Sequence, residues 1–157
     1  MTFSAMSKEH NTIIPFLIMD DAQQAISFYK KVFNAELISQ MPLPEGGIAQ
    51  AEIAIGNTPL VVADACPLEG HHSPHKIGGS PVNLILYVKD VDSVFSRALT
   101  LGSKLVRPIH TQFYGDRAGT FEDPFGHIWT VANQKKDVKK ESIEQRMANL
   151  MTKEQDA

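Results

Sequence analysis

Between Gln112 and Arg117 the chain places two aromatics, Phe113 and Tyr114, then a glycine, then the charged neighbours Asp116 and Arg117. Flat rings stack on planar ligands and a guanidinium pairs with an anionic group, so this segment has the make-up of a pocket wall. It suits a structural role equally well: Asp116 and Arg117 can pair across strands, and Gly115 can mark a bulge that closes a sheet. Two further carboxylates are candidates. Glu52 sits among Ala51, Ile53 and Ala54 in a strand otherwise fit for burial, and Asp64 ends the next strand with the parity of Leu60 and Val62, at what reads as a cleft mouth. A carboxyl whose pKa is raised by burial can act as a general base, whereas a solvated or ion-paired one does no chemistry.

The histidines and the cysteine carry less. His71, His72 and His75 crowd one loop without the scaffold that a zinc site needs, and read as a solvated segment. His110 ends a strand and His127 follows a turn glycine, positions that suit a hydrogen bond to a backbone carbonyl. Cys66 is the single cysteine, so an internal disulfide and a four-thiolate zinc site are both excluded, and a free thiol remains.

The elements that must position these residues come as a repeat. Thr12–Asp21 is an apolar strand ending in acids, followed by a helical stripe of Ala22, Ala25, Ile26, Tyr29, Val32 and Phe33. Val82–Asp90 and the stripe Val91, Val94, Phe95, Ala98 and Leu99 repeat the pattern. Asp20 or Asp21 and Asp90 can accept from free N–H groups at the helix starts, and Asn34 and Gly102 suit the turn after the last coil. Extended pieces follow each helix: Leu37–Met41, Ala49–Ile55 and Leu60–Ala63 in the first copy, Leu105–Ile109, Gly115–Glu122 and His127–Ala132 in the second. Asp123-Pro124-Phe125-Gly126 is a tight turn, and Phe125 and Trp129 read as core.

The spacing therefore predicts an α+β fold of two βαβββ modules, 12–64 and 82–133, forming one domain over 12–133. The linker Ala65–Pro81 is rich in Pro, Gly and His. A tail covers 1–11, and a helix over 141–153 carries Ile143, Met147, Leu150 and Met151 on a face suited to docking on the domain or on a partner subunit. At 157 residues, 43% apolar and 21% charged, the chain has the composition of a globular domain that needs neither metal nor disulfide to fold. A net charge of -3 without a basic block speaks against nucleic-acid binding. No run is long enough for a membrane span and the first residues lack the apolar core of a signal peptide, so the expected location is the cytoplasm.

The paired acids at Asp20 and Asp21, Phe28-Tyr29, Phe33-Asn34-Ala35 and above all Gly115–Trp129, ending Asp123-Pro124-Phe125-Gly126-His127-Ile128-Trp129, resemble the vicinal oxygen chelate superfamily, in its glyoxalase/bleomycin-resistance branch. The resemblance covers about residues 12–133. It implies two modules that each curl into half of an open barrel around a cleft. In metal-dependent relatives the first and last strand of each module supplies one His, Glu or Gln, leaving open positions on a Lewis-acidic metal. Here those positions fall at Ile14, Asn83, Thr130 and either Leu60 or Val62. Asn and Thr offer only weak neutral donors, so no metal and no other cofactor is expected. The resemblance further implies a homodimer.

Two functions follow as expectations. The first is a metal-free protein that holds a small molecule by stacking and apolar burial, with Glu52, Asp64, Asn83, Phe113, Tyr114, Asp116 and Arg117 as candidate contacts. The second is an enzyme of the superfamily, a glyoxalase-like lyase or isomerase or a dioxygenase, using an atypical metal site or a carboxylate base.

Overall fold

A computed structural model of the chain describes residues 11–111, 113, 115–133 and 140–155. The first module runs β1 (Phe16–Met19), α1 (Ala22–Phe33), β2 (Glu36–Pro42), β3 (Ile48–Ile55) and β4 (Thr58–Asp64). After a 3-10 turn at Pro67–Glu69 and a one-turn helix α2 (Pro74–Ile77), the second module repeats it. Its elements are β5 (Asn83–Tyr87), α3 (Val91–Thr100), β6 (Lys104–Thr111), β7 (Arg117–Glu122) and β8 (Ile128–Asn133), and α4 (Lys140–Gln155) follows. The fold is α+β: each module is one four-stranded mixed sheet, ordered β1-β4-β3-β2 and β5-β8-β7-β6, and neither sheet closes on itself. In both, the first strand runs parallel to the last, which requires the helix as crossover.

The helices form where the sequence caps them. Asp21 accepts from the Gln24 amide and Asp90 from the Ser93 amide, each at 3.0 Å. Asn34 closes α1 in the left-handed conformation, with φ 57°. Every residue of the expected α1 stripe is buried, and α1 touches α3. One hydrophobic cluster consequently runs through both modules, from Leu17 and Met19 through Phe33 to Phe121, Trp129 and Val131. Phe33 and Trp129 meet with ring centroids 4.6 Å apart, and Phe28 meets Phe125 at 6.0 Å.

A carboxylate fastens this joint. Asp123 is 2% exposed and accepts four hydrogen bonds, from the Tyr29 hydroxyl at 2.6 Å, Trp129 Nε1 at 2.8 Å, and the amides of Phe125 and His127 at 2.9 Å each. A buried charge is tolerated when all its lone pairs are engaged in this way. Burial first, and the neighbouring Asp123 second, push the Tyr29 hydroxyl well above its ordinary pKa. Gly126, at φ +93°, completes the turn. A Cβ there would lie 2.6 Å from Cβ of Pro74, so the glycine lets α2 pack down on the turn. His75 Nε2 lies 2.8 Å from the Pro124 carbonyl and His127 Nε2 2.8 Å from that of Ile18, tying the linker and β1 to the second module. Among the described residues no helix is long and apolar enough to cross a membrane.

Candidate functional site on the concave faces

Because strand side chains alternate, the face turned away from the helices is fixed by the one turned towards them. In the second sheet Leu84, Leu86, Phe121, Trp129 and Val131 pack towards the helices, so Asn83, Ile85, Tyr87, Thr120 and Thr130 share the opposite, concave face. One row across that face reads Ile85, Thr130, Thr120, Arg107, each paired with the next. The two threonine hydroxyls lie 2.8 Å apart and satisfy each other. A cavity of about 310 Å³ sits over this row, lined by Asn83, Ile85, Arg107, Thr120, Ile128 and Thr130 among others.

The first sheet carries the equivalent row: Phe16, Val61, Glu52, Ser39. Glu52 is 4% exposed and Val61 2%. Glu52 Oε2 has no hydrogen-bond partner among the described residues. A carboxylate oxygen that is both buried and unpartnered is a costly arrangement, and it leaves an acceptor for any donor that reaches this face.

This geometry locates the four positions at which the superfamily resemblance puts metal ligands. Asn83 and Ile14 each stand seven residues before a helix cap, Asp90 and Asp21. Thr130 pairs with Ile85 of β5 and Val61 with Phe16 of β1, so the last-strand position of the first module is Val61. The expectation of Leu60 or Val62 is corrected here, since both pack into the cluster on the helix side. The four side chains are thus two hydrocarbons, one amide and one hydroxyl, which do not fit a divalent first-row metal. Among the described residues, no three His, Cys, Asp or Glu side chains lie close enough together to hold one.

The remaining candidates scatter. Asp64 does not stand at a cleft mouth: it lies on the helix side, where Oδ1 accepts from the Ala22 amide and Oδ2 from the Ile48 amide, each at 2.7 Å. It pins the start of α1 to the start of β3. Arg117 turns the same way and is held by Asp92 of α3, Nε at 3.1 Å and Nη2 at 2.7 Å, rather than by Asp116. Those hydrogen bonds, donated to Asp92, raise the guanidinium's already high pKa further. Asp116 is buried at 7% exposure and accepts from the Tyr87 hydroxyl at 3.3 Å. Phe113 lies beside α4, its carbonyl accepting from Arg146 Nη1 at 2.9 Å. Tyr114 lies outside the described residues. The loop histidines diverge, His71 towards Glu69 and the Phe16 ring, His75 towards Pro124. Arg107, Thr120 and Val61 were missed from the sequence; the parity of Phe121, recognisable as core, was the signal that would have found Thr120.

A sequence model of the Glyoxalase/Bleomycin resistance protein/Dioxygenase superfamily matches residues 11–131. An uncharacterized protein of Mycobacterium bovis is 37% identical over 138 residues, which is 86% of this chain and 91% of that one. Human mitochondrial methylmalonyl-CoA epimerase is 26% identical over 97 residues, 59% of this chain and 53% of the epimerase. Among solved structures, TioX from Micromonospora sp. ML1 superposes with a TM-score of 0.61 at 24% identity, over 80% of this chain and 98% of TioX.

Proposed function

Because the chain belongs to the glyoxalase/bleomycin resistance protein/dioxygenase superfamily, we propose that it binds a small organic molecule on the concave side of its sheets, without the metal that many superfamily members use. One observation carries this reading. Asn83 and Thr130, which occupy two of the four ligand positions, line the cavity of about 310 Å³ together with Thr120 and Arg107. That volume is at the lower end of small-molecule sites, and its lining mixes apolar side chains, among them Ile85, Val106 and Ile128, with polar ones in about equal share. Asn83 and the threonine pair orient the ligand by hydrogen bonds, and Arg107 favours an anionic or carbonyl-bearing edge.

Residues 12–133 act in this reading as one unit, supported by the core cluster common to both modules. The chain pairs with a second copy, which would cover Ile85 and Tyr87, 63% and 64% exposed. A lone free cysteine suits a cytoplasmic protein, and the net charge of -3 without a basic block speaks against nucleic acid as a partner.

A thermal-shift screen of small organic compounds would identify a ligand. Asn83→Ala and Arg107→Ala are expected to weaken its binding about tenfold each, at little cost to the melting temperature of the free protein. Unchanged affinity in both would overturn the proposal.

A second reading is favoured by Glu52. Its unpartnered oxygen is a proton acceptor in waiting, and abstraction of a proton from a bound ligand would make the chain an enzyme of the superfamily. Solvent-deuterium exchange into a bound ligand, abolished by Glu52→Gln, would distinguish this from binding alone.

A further inference from the structure

A cavity of about 400 Å³ lies between the end of β6 and α4, and it shares no lining residue with the concave-face cavity. Its helix side consists of Arg146, Asn149, Leu150 and Lys153, spaced three, four and seven residues along α4 and therefore on one face. Its other side is the end of β6, His110 and Thr111, with Phe113 beyond it.

The polar groups of this cavity are biased towards donors. Arg146 spends one N–H on the Phe113 carbonyl at 2.9 Å, which holds the guanidinium in place and leaves its other N–H groups. The Asn149 carbonyl oxygen is taken by Gln145 Nε2 at 3.2 Å, so the Asn149 amide hydrogens are what remains to offer. Lys153 adds a second positive charge. Among its described lining residues the cavity contains no Asp or Glu, in a chain with 18 acidic against 15 basic residues. Phe113 and Leu150 supply an apolar wall beside the charges.

We propose that this cavity is a second ligand site, one that takes a small molecule with a phosphate or carboxylate head and a flat apolar body. Arg146, Asn149 and Lys153 grip the head while Phe113 and Leu150 cover the body. An anion between two cations and an amide gains charge-assisted hydrogen bonds, and part of the attraction is screened by salt because the cavity is open to solvent. The site stands independently of the concave-face reading.

The test uses the full-length chain and phenyl phosphate, followed by line broadening of the probe's aromatic protons in proton NMR at low and at high salt, with benzylamine as the cationic counterpart. Phenyl phosphate is expected to bind and benzylamine not to. Lys153→Gln, a change at an exposed position that leaves the fold intact, should weaken phenyl phosphate about fivefold and flatten the salt dependence. Leu150→Glu, which sets a carboxylate inside the cavity, should abolish binding, and Asn83→Ala should leave it unchanged. Benzoate tested in the same way separates carboxylate from phosphate preference. The proposal is overturned if the wild-type chain binds no phenyl phosphate at millimolar concentration. It is equally overturned if Lys153→Gln and Leu150→Glu bind it as the wild type does, since Lys153 then serves only the end of its helix.

Discussion

The two modules are alike on the sides that face the helices and unlike on the sides that face away. Towards the helices both bury an apolar stripe, cap the helix with an aspartate and contribute to one cluster. On the concave side, the row that reads Val61, Glu52, Ser39 in the first module reads Thr130, Thr120, Arg107 in the second. The second module's hydroxyls satisfy each other at 2.8 Å, whereas the first module sets a carboxylate beside a valine and leaves Oε2 unpartnered. Packing constrains the first side to stay the same in both copies. The second side is free of that demand, and the differences there are the ones that stability does not explain.

The contrast can be broken from the shared side first. Asp123→Ala deletes the acceptor of four hydrogen bonds and leaves buried donors on Tyr29 and Trp129 unpaired. It should cost about 3–5 kcal/mol in urea unfolding. A loss under about 1 kcal/mol would mean that the modules are joined by packing alone.

The same joint predicts a response to alkali. Burial and Asp123 raise the folded-state pKa of Tyr29, so its contribution is fully present below the unfolded value near 10 and is lost as pH rises above it. Stability should fall there by up to about 1.4 kcal/mol per pH unit from this group. Tyr29→Phe should flatten that slope, and an unaltered slope would assign it to other groups.

Smaller and more diagnostic are the concave rows, where an apolar replacement should act with opposite sign in the two modules. Thr120→Val orphans the Thr130 hydroxyl and should cost about 1 kcal/mol. Glu52→Leu removes an unpaired buried carboxylate oxygen beside Val61 and should be neutral or stabilise by about 1 kcal/mol. If Glu52→Leu destabilises as Thr120→Val does, the two rows are equivalent and the contrast fails.

Much of the helix-facing side was legible in the sequence. The periodicity of α1 and α3, the caps Asp21 and Asp90, the left-handed Asn34 and the core placement of Phe125 and Trp129 all follow from local rules. The concave side was harder. In β4 Leu60, Val61, Val62 and Ala63 are all buried, so no alternation of polar and apolar residues tells one face from the other. That ambiguity misplaced both the last-strand position and Asp64, which has the parity of Leu60 and Val62 and therefore follows them to the helix side. Arg117 shows a different limit. Its partner Asp92 lies on α3, 25 residues away, and no local pattern predicts a long-range ion pair. The segment Gln112–Arg117 looked like a pocket wall as composition; of its described part only Phe113 lines a cavity, beside α4, while Asp116 meets Tyr87 and Arg117 meets Asp92.

The account depends on Ile14, Val61, Asn83 and Thr130 being unable to chelate. Calorimetric titration of tag-free, chelator-dialysed protein with nickel, zinc, iron(II) and manganese tests this most directly. We predict no stoichiometric binding at micromolar concentration, and no change on Asn83→Ala or Thr130→Val. One tight site per chain that disappears in either variant would contradict it.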